Sequence, residues 1–257
     1  MRDCLFCPNP ANSLEDAWPL WIAKQYRGNA PSQLRAERQG QSLPPWDVWQ
    51  PELKVRRVCR ECNNGWMSRL ESQSQPTLQP LLSGQSHSLT SGEQATVALW
   101  AVKTAMVLEG LGPIDQRVYT EQERAQLRLL SVIPERTSVW LAVSVDKAVF
   151  MSTKTRHFNE SPTDDPSAVC TTIGLSHLVL QVLTLRVPPD VSAATRITTS
   201  VRTGPWQDAT LQVWPLSSTT ILWPPSVGLD GEIGLDALGY RFMVAGLPDG
   251  EVQSLAI

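Results

Sequence analysis

Four of the five cysteines fall in two pairs of the same spacing, Cys4-x-x-Cys7 and Cys59-x-x-Cys62, with 51 residues between the pairs. Two thiolates three positions apart can reach one metal ion from a tight turn, and two such turns complete a tetrahedral sulfur site. In a reducing compartment this pattern favours zinc over disulfides. One structural Zn²⁺ shared by Cys4, Cys7, Cys59 and Cys62 is therefore expected. It would force the first residues of the chain against residues near 60 and fix an N-terminal module. Two separate redox pairs are the alternative. Cys170 stands alone in an apolar run and reads as a core residue.

The rest of the chain must be built around that closure. Its 257 residues are 42% hydrophobic and 18% charged, which predicts a packed core and excludes wholesale disorder. A net charge of -3 excludes a basic coat over the whole surface. Residues 1–75 carry a net +2 and residues 76–257 a net -5, which leans towards nucleic acid on the N-terminal side. No apolar run approaches the roughly 20 residues of a membrane helix, and the N-terminus lacks a signal-type stretch. The expectation is a soluble, cytoplasmic protein with no membrane partner.

Along the chain, Pro19 suits the first position of a short helix. Residues 28–54, rich in Gly and Pro, read as an inserted loop, and Lys54 to Val58 as a short strand. Residues 66–82 read as a helix broken at Pro76 and Pro80. Thr90 to Glu93 and Thr120 to Glu123 are capping-box patterns that open helices. The first of these, over about 92–108, has almost no polar face and should be central. Beyond Arg136 the pattern turns to strands. Residues 138–145 with 148–151, 168–175 with 177–187, and 211–215 with 219–223 read as three hairpins. A short helix is expected near Leu235 to Tyr240. The fold class expected is α+β: an N-terminal zinc-bound ββα-metal finger over residues 1–75, then a helical segment and a largely antiparallel β-sheet domain over 76–257.

Cys4-x-x-Cys7, then Glu15-Asp16-Ala17-Trp18-Pro19, then Val58-Cys59-x-x-Cys62-Asn63-Asn64-Gly65-Trp66 resembles the zinc-containing HNH endonucleases over roughly residues 1–72. The resemblance implies a ββα-metal finger that hydrolyses phosphodiester bonds in nucleic acid, DNA before RNA. It places Glu15 at the acidic metal-holding position, Asp16 at the position of the general-base His, and Asn63 or Asn64 at the Asn that completes the site. It also implies a catalytic Mg²⁺ or Mn²⁺ beside the structural zinc.

Asp16 departs from the pattern, and residues 1–75 contain no His at all. A free Asp has a pKa near ~3.9 against ~6.5 for His, too weak a base for neutral pH. A carboxylate pair still suits a hard cation. Three plainer readings stand beside these roles. Glu15-Asp16 is equally a helix-entry pair, Asn63-Asn64-Gly65 a turn closing a zinc knuckle, and Trp18, Trp21 and Trp66 the core of a small finger. Arg56, Arg57, Arg60 and Arg69 gather near the second Cys pair and are either phosphate contacts or a solvated face. The second functional reading is a catalytically degenerate, zinc-stabilised module that binds nucleic acid or protein. His157 is a further candidate for a composite site.

Overall fold

The computed structural model describes residues 3–25, 32–34, 36–38, 41–42, 46–48, 53–111, 117–156, 168–186, 206–216 and 219–244. His157 lies outside them. The architecture is mixed helix and largely antiparallel sheet, the α+β class expected.

Strands β1 (Ser13–Asp16) and β6 (Lys54–Val58) form an antiparallel ladder, with Ser13 opposite Val58 and Asp16 opposite Lys54. Helix α1 (Leu20–Gln25) follows β1 directly, entered through Pro19. After β6 comes one helical run: a turn α2 (Arg60–Cys62), a π-helical turn over Asn63–Met67, and α3 (Ser68–Leu82). Gly65, at φ -95° and ψ -106°, bends the run between the cysteine turn and α3. Helix α3 also runs unbroken through Pro76 and Pro80. Pro76 and Ser72 are exposed, so water can take the carbonyl that the ring deprives of a partner, while Leu70, Leu78, Leu81 and Leu82 anchor the buried face.

Helix α4 (Ser91–Glu109) is the centre of the molecule. Its Thr90–Glu93 capping box forms in both directions, and Trp100, Val102, Met106 and Val107 are fully buried. The expected central helix is thus present. Helix α5 (Glu121–Leu130) has its own reciprocal box at Thr120 and ends on Ser131 in the left-handed region, before Pro134.

The strand pairing differs from the three expected hairpins. Strand β8 (Thr137–Arg156) and strand β9 (Ala168–Leu185) are each continuous and pair antiparallel along their length. Asp146-Lys147 lies in a bulge, not a hairpin turn. Val143 faces Leu178 and Ala148 faces Ser176, so β8 takes five steps where β9 takes two. The extra backbone is used elsewhere: Val145 N–H donates to Leu229 O at 2.9 Å, and Leu229 N–H donates to Val143 O at 2.8 Å. Ser176, at φ 56°, is the matching kink in β9.

The third expected hairpin also separates. Strand β10 (Leu211–Trp214) pairs with β8, while β11 (Ile221–Trp223) pairs with β7 (His87–Leu89) ahead of α4. The expected loop at 28–54 contains short strands β2 (Ser32–Leu34), β3 (Ala36–Arg38), β4 (Gln41–Ser42) and β5 (Trp46–Val48). Strand β3 runs parallel to β8 at Ala36 opposite Met151, covering the edge of β8 beyond β10.

Strand β9 is buried on both faces, which is why its sequence shows no polar alternation. Leu178, Leu180 and Val182 face the α4 core, and Val179 faces helix α6 (Gly231–Val244) with Leu235 and Leu238. Gln181 on the α6 side donates to Leu238 O at 2.8 Å and accepts from Arg241. The larger core is continuous from Leu5 and Trp18 through α4 to Val182 and Val213. The expected division at residue 75 falls inside α3.

Gly110, at the end of α4, is where the first residues of the chain dock. A Cβ there would lie 2.8 Å from Leu5 Cδ1, 2.9 Å from Val107 O and 3.3 Å from Val55 Cγ1. Gly110→Ala is therefore expected to destabilise the fold by about 1–3 kcal/mol, the usual cost of overpacking. Urea denaturation checks this, and an unchanged midpoint would refute the docking argument.

Candidate metal centre

The first cysteine pair sits in a turn closed by the Asp3–Pro10 bridge and by Cys4 N–H donating to Asn9 O at 2.9 Å. Leu5 N–H donates to Arg57 O at 2.8 Å, which sews this turn to the end of β6, where Cys59 begins. Two asparagines in the turn-rich stretch complete the junction. Asn9 Nδ2 donates to Glu61 at 2.7 Å, and Asn12 Oδ1 accepts from Arg60 N–H at 2.9 Å.

Cys59 is the N-cap of α2, its sulfur accepting the Cys62 N–H at 3.4 Å. Cys4 Sγ accepts from the N–H groups of Cys59, at 3.3 Å, and Phe6, at 3.5 Å. The sulfurs of Cys7 and Cys59 are 3.5 Å apart, those of Cys7 and Cys62 3.7 Å, and all four lie within 4.8 Å of one another. A tetrahedron of 2.3 Å zinc–sulfur bonds has edges of about 3.8 Å. The expected set thus comes together with room and donor chemistry for one soft metal ion such as zinc. N–H groups aimed at sulfur favour the thiolate form that a metal requires. The Cys4 thiol is held down at about 5, chiefly by its hydrogen bond with Cys62, with burial opposing. Phe6 and Trp66 pack edge to face over the cluster at 5.1 Å between ring centroids.

The acid pair is on β1, towards the end of the ladder away from Cys59, with Glu15 opposite Val55 and Asp16 opposite Lys54. Adjacent residues of a strand point to opposite faces, and Glu15 and Asp16 have different fates. Glu15 is 3% exposed and lies 3.9 Å from Lys103 Nζ, which is itself fully buried in α4. Lys103 also donates to Glu71 of α3 at 2.9 Å and stands over the Trp100 ring at 5.7 Å. Burial pushes the Glu15 carboxyl up to about 7; Lys103 opposes this, while Glu71 and Asp16 add to it. Asp16 faces the rim, paired with the partly exposed Lys54 at 2.5 Å.

Asn63 Nδ2 donates to Ser13 Oγ at 2.7 Å and to Leu14 O at 3.3 Å. The structure therefore brings Asn63 onto the strand that carries Glu15 and Asp16. Asn64, the neighbouring candidate, is exposed. Trp18 is buried, and Trp21 and Trp66 are partly buried against the same core. Arg56, Arg60 and Arg69 are exposed around the cluster, and Arg57 is half-buried.

Sequence reasoning missed Lys103 and Glu71. The signal was present: a lone Lys between Val102 and Thr104 in a helix with no polar face implies a buried counter-charge. Among the described residues, no helix is long and apolar enough to cross a membrane. No family model, curated protein or solved structure matches the chain. The HNH resemblance accordingly rests on the residues themselves.

Two outcomes follow. Metal analysis of the purified chain should find close to one zinc per molecule. Cys59→Ser should weaken binding beyond the roughly 10- to 100-fold cost of losing an outer-shell partner, and loosen the Cys4–Pro10 turn in hydrogen exchange. A protein that folds fully without metal would overturn the assignment.

The second outcome concerns pH. An acid whose folded pKa stands above its ordinary value of 4.5 contributes fully below that value, and the contribution is lost as pH rises through about 7. For Glu15 the loss is on the order of 3 kcal/mol. Glu15→Gln should flatten stability between pH 4.5 and 7 relative to wild type, read by denaturation at each pH. Parallel curves would show that Glu15 does not titrate in this range.

Proposed function

We propose that the chain is a zinc-held protein of the HNH type that acts on nucleic acid, with metal-dependent phosphodiester hydrolysis as its activity. The observation that carries this reading is Asn63. Its amide is drawn to Ser13 and Leu14 at the start of β1, the end of the ladder next to Cys59, and Glu15 and Asp16 follow along the same strand. The acid-bearing strand, its partner β6 and the helical run after the second Cys pair support the reading.

Both hydrogen bonds of Asn63 use the NH₂ end of the amide, which leaves Oδ1 as a ligand atom. Asp16 and Asn63 Oδ1 are the oxygen donors this reading assigns to Mg²⁺ or Mn²⁺. Such a cation, when bound, neutralises charge developing on the phosphate. Arg56, Arg60 and Arg69 supply the phosphate-facing charge, and DNA is the first substrate to try.

A second reading is favoured by a specific observation. Glu15 is enclosed with Lys103, Asp16 is paired with Lys54, and no imidazole stands at position 16. On this reading the module binds nucleic acid and has lost its chemistry.

Cleavage of supercoiled plasmid and of single strands, with Mg²⁺ or Mn²⁺ across pH, separates the two. Hydrolysis should require the added cation. Asp16→Ala, which removes the carboxylate assigned to the cation, should slow it by roughly 10²- to 10⁴-fold, a loss of the size known for other catalytic groups, with zinc content unchanged. Asp16→His should retain or raise activity and move its pH profile towards ~6.5. No cleavage by a fully zinc-loaded protein under any of these conditions selects the binding module.

A further inference from the structure

Glu109, the last residue of α4, is buried and fully used. Its Oε2 accepts from Arg124 Nη2 at 2.5 Å, and its Oε1 accepts the N–H groups of Val118 and Tyr119. One acid thus answers one guanidinium and two backbone donors. Arg117, next to Val118 in the chain, has no such partner among the described residues. Its Nε and Nη2 are shut off from solvent without a hydrogen bond, and the Nε of the buried Arg124 is in the same condition.

The charges bearing on Arg117 are mostly of its own sign. Burial lowers its proton affinity first, then the positive charges of Arg124 and Arg57, with only Glu109 in opposition. Among the described residues, three guanidinium groups stand against one carboxylate here, an excess of two positive charges. An unpaired buried charge is among the costliest features a fold can hold, and like charges are kept together where an anion joins them. Arg124 is buried, while Arg117 and Arg57 are half-buried, so the cluster lies at the boundary between core and surface.

We propose that Arg57, Arg117 and Arg124 form an anion site for a phosphoryl group, beside the cysteine cluster. The planar guanidinium fork matches two oxygens of such a group, and a dianion balances the local excess. The Arg57 backbone fixes the location: its carbonyl accepts the N–H of Leu5, the residue after Cys4, and it stands two residues before Cys59. A phosphoryl group reaches this site as free phosphate or as part of a nucleic-acid backbone. The site itself does not depend on hydrolysis at Asp16.

The test uses the full chain as purified, with inorganic phosphate as the first probe. Phosphate should raise the melting temperature saturably. Arg117→Gln should weaken phosphate binding by about 10- to 100-fold, the loss expected for a charge-assisted hydrogen bond. Without phosphate, Arg117→Gln should melt no lower than wild type, because it removes an unpaired charge; a purely structural arginine would give the reverse. Arg57→Gln, on a separate element, should weaken phosphate in the same way.

Oligonucleotides distinguish the sources. Competition with phosphate, and a salt slope reduced by about one in Arg117→Gln, places a nucleic-acid phosphate in the site. Phosphate binding with no oligonucleotide binding supports the site and removes the nucleic-acid reading. The proposal fails if phosphate gives wild type no saturable shift, or if Arg117→Gln keeps the wild-type response.

Discussion

Four sulfur atoms within 4.8 Å of one another bring together two stretches of chain that have 51 residues between them in sequence. In the short Cys4–Pro10 turn, Leu5 and Phe6 are the side chains buried beside the cysteines. Closing it against Cys59 and Cys62 aligns Leu5 with Arg57, which sets the turn on β6. That in turn presents Leu5 and Phe6 to the main core, where Gly110 leaves space for Leu5. A metal bound by thiolates supplies folding free energy in such small units. The position of β1, and of every candidate residue on it, follows from this closure.

A buried cation makes the second connection. Lys103 joins β1, α3 and α4 through Glu15 and Glu71. Burial is the main reason that the Glu15 carboxyl is raised; Lys103 opposes it, and the second carboxylate, Glu71, adds to it. Breaking a buried pair costs about 3–5 kcal/mol because the other charge stays behind unpaired. The cysteine unit is therefore keyed to α4 by charge as well as by packing, and the core continues across the two halves of the chain.

The parts legible in the sequence are those fixed by a few neighbouring residues. Cysteine spacing encodes sulfur geometry, so the cluster could be read before any fold. Both capping boxes and the central helix were legible for the same reason, since each is a local pattern. Long strands were not. Strand β9 is covered on both faces, so its period is hidden. The polar pair Asp146-Lys147 looks like a hairpin turn, yet it feeds a bulge whose backbone bonds to Leu229. Ser176 and Asp146 are therefore kinks in one ladder, and the strands flanking them do not fold back on each other. The Lys103 contacts were out of reach because three elements far apart in sequence supply them. Only the oddity of a lysine in an apolar helix announced that partners existed.

These two connections also decide where cation chemistry can occur. A divalent ion at Glu15 would have to displace an ammonium that cannot leave, because Lys103 is fully enclosed on the helix around which the core is packed. The partner of Asp16 is different: the Lys54 side chain is 38% exposed. That pair is only partly enclosed, so a divalent cation at Asp16 competes with an ammonium that has a side towards water. Asp16 therefore lies on the accessible side of β1 and Glu15 on the enclosed side. On the proposed reading a metal-assisted step therefore falls to Asp16, with Glu15 acting through the placement of the strand. Helix α4 shapes that strand directly, because its Lys103 is the charge set against Glu15.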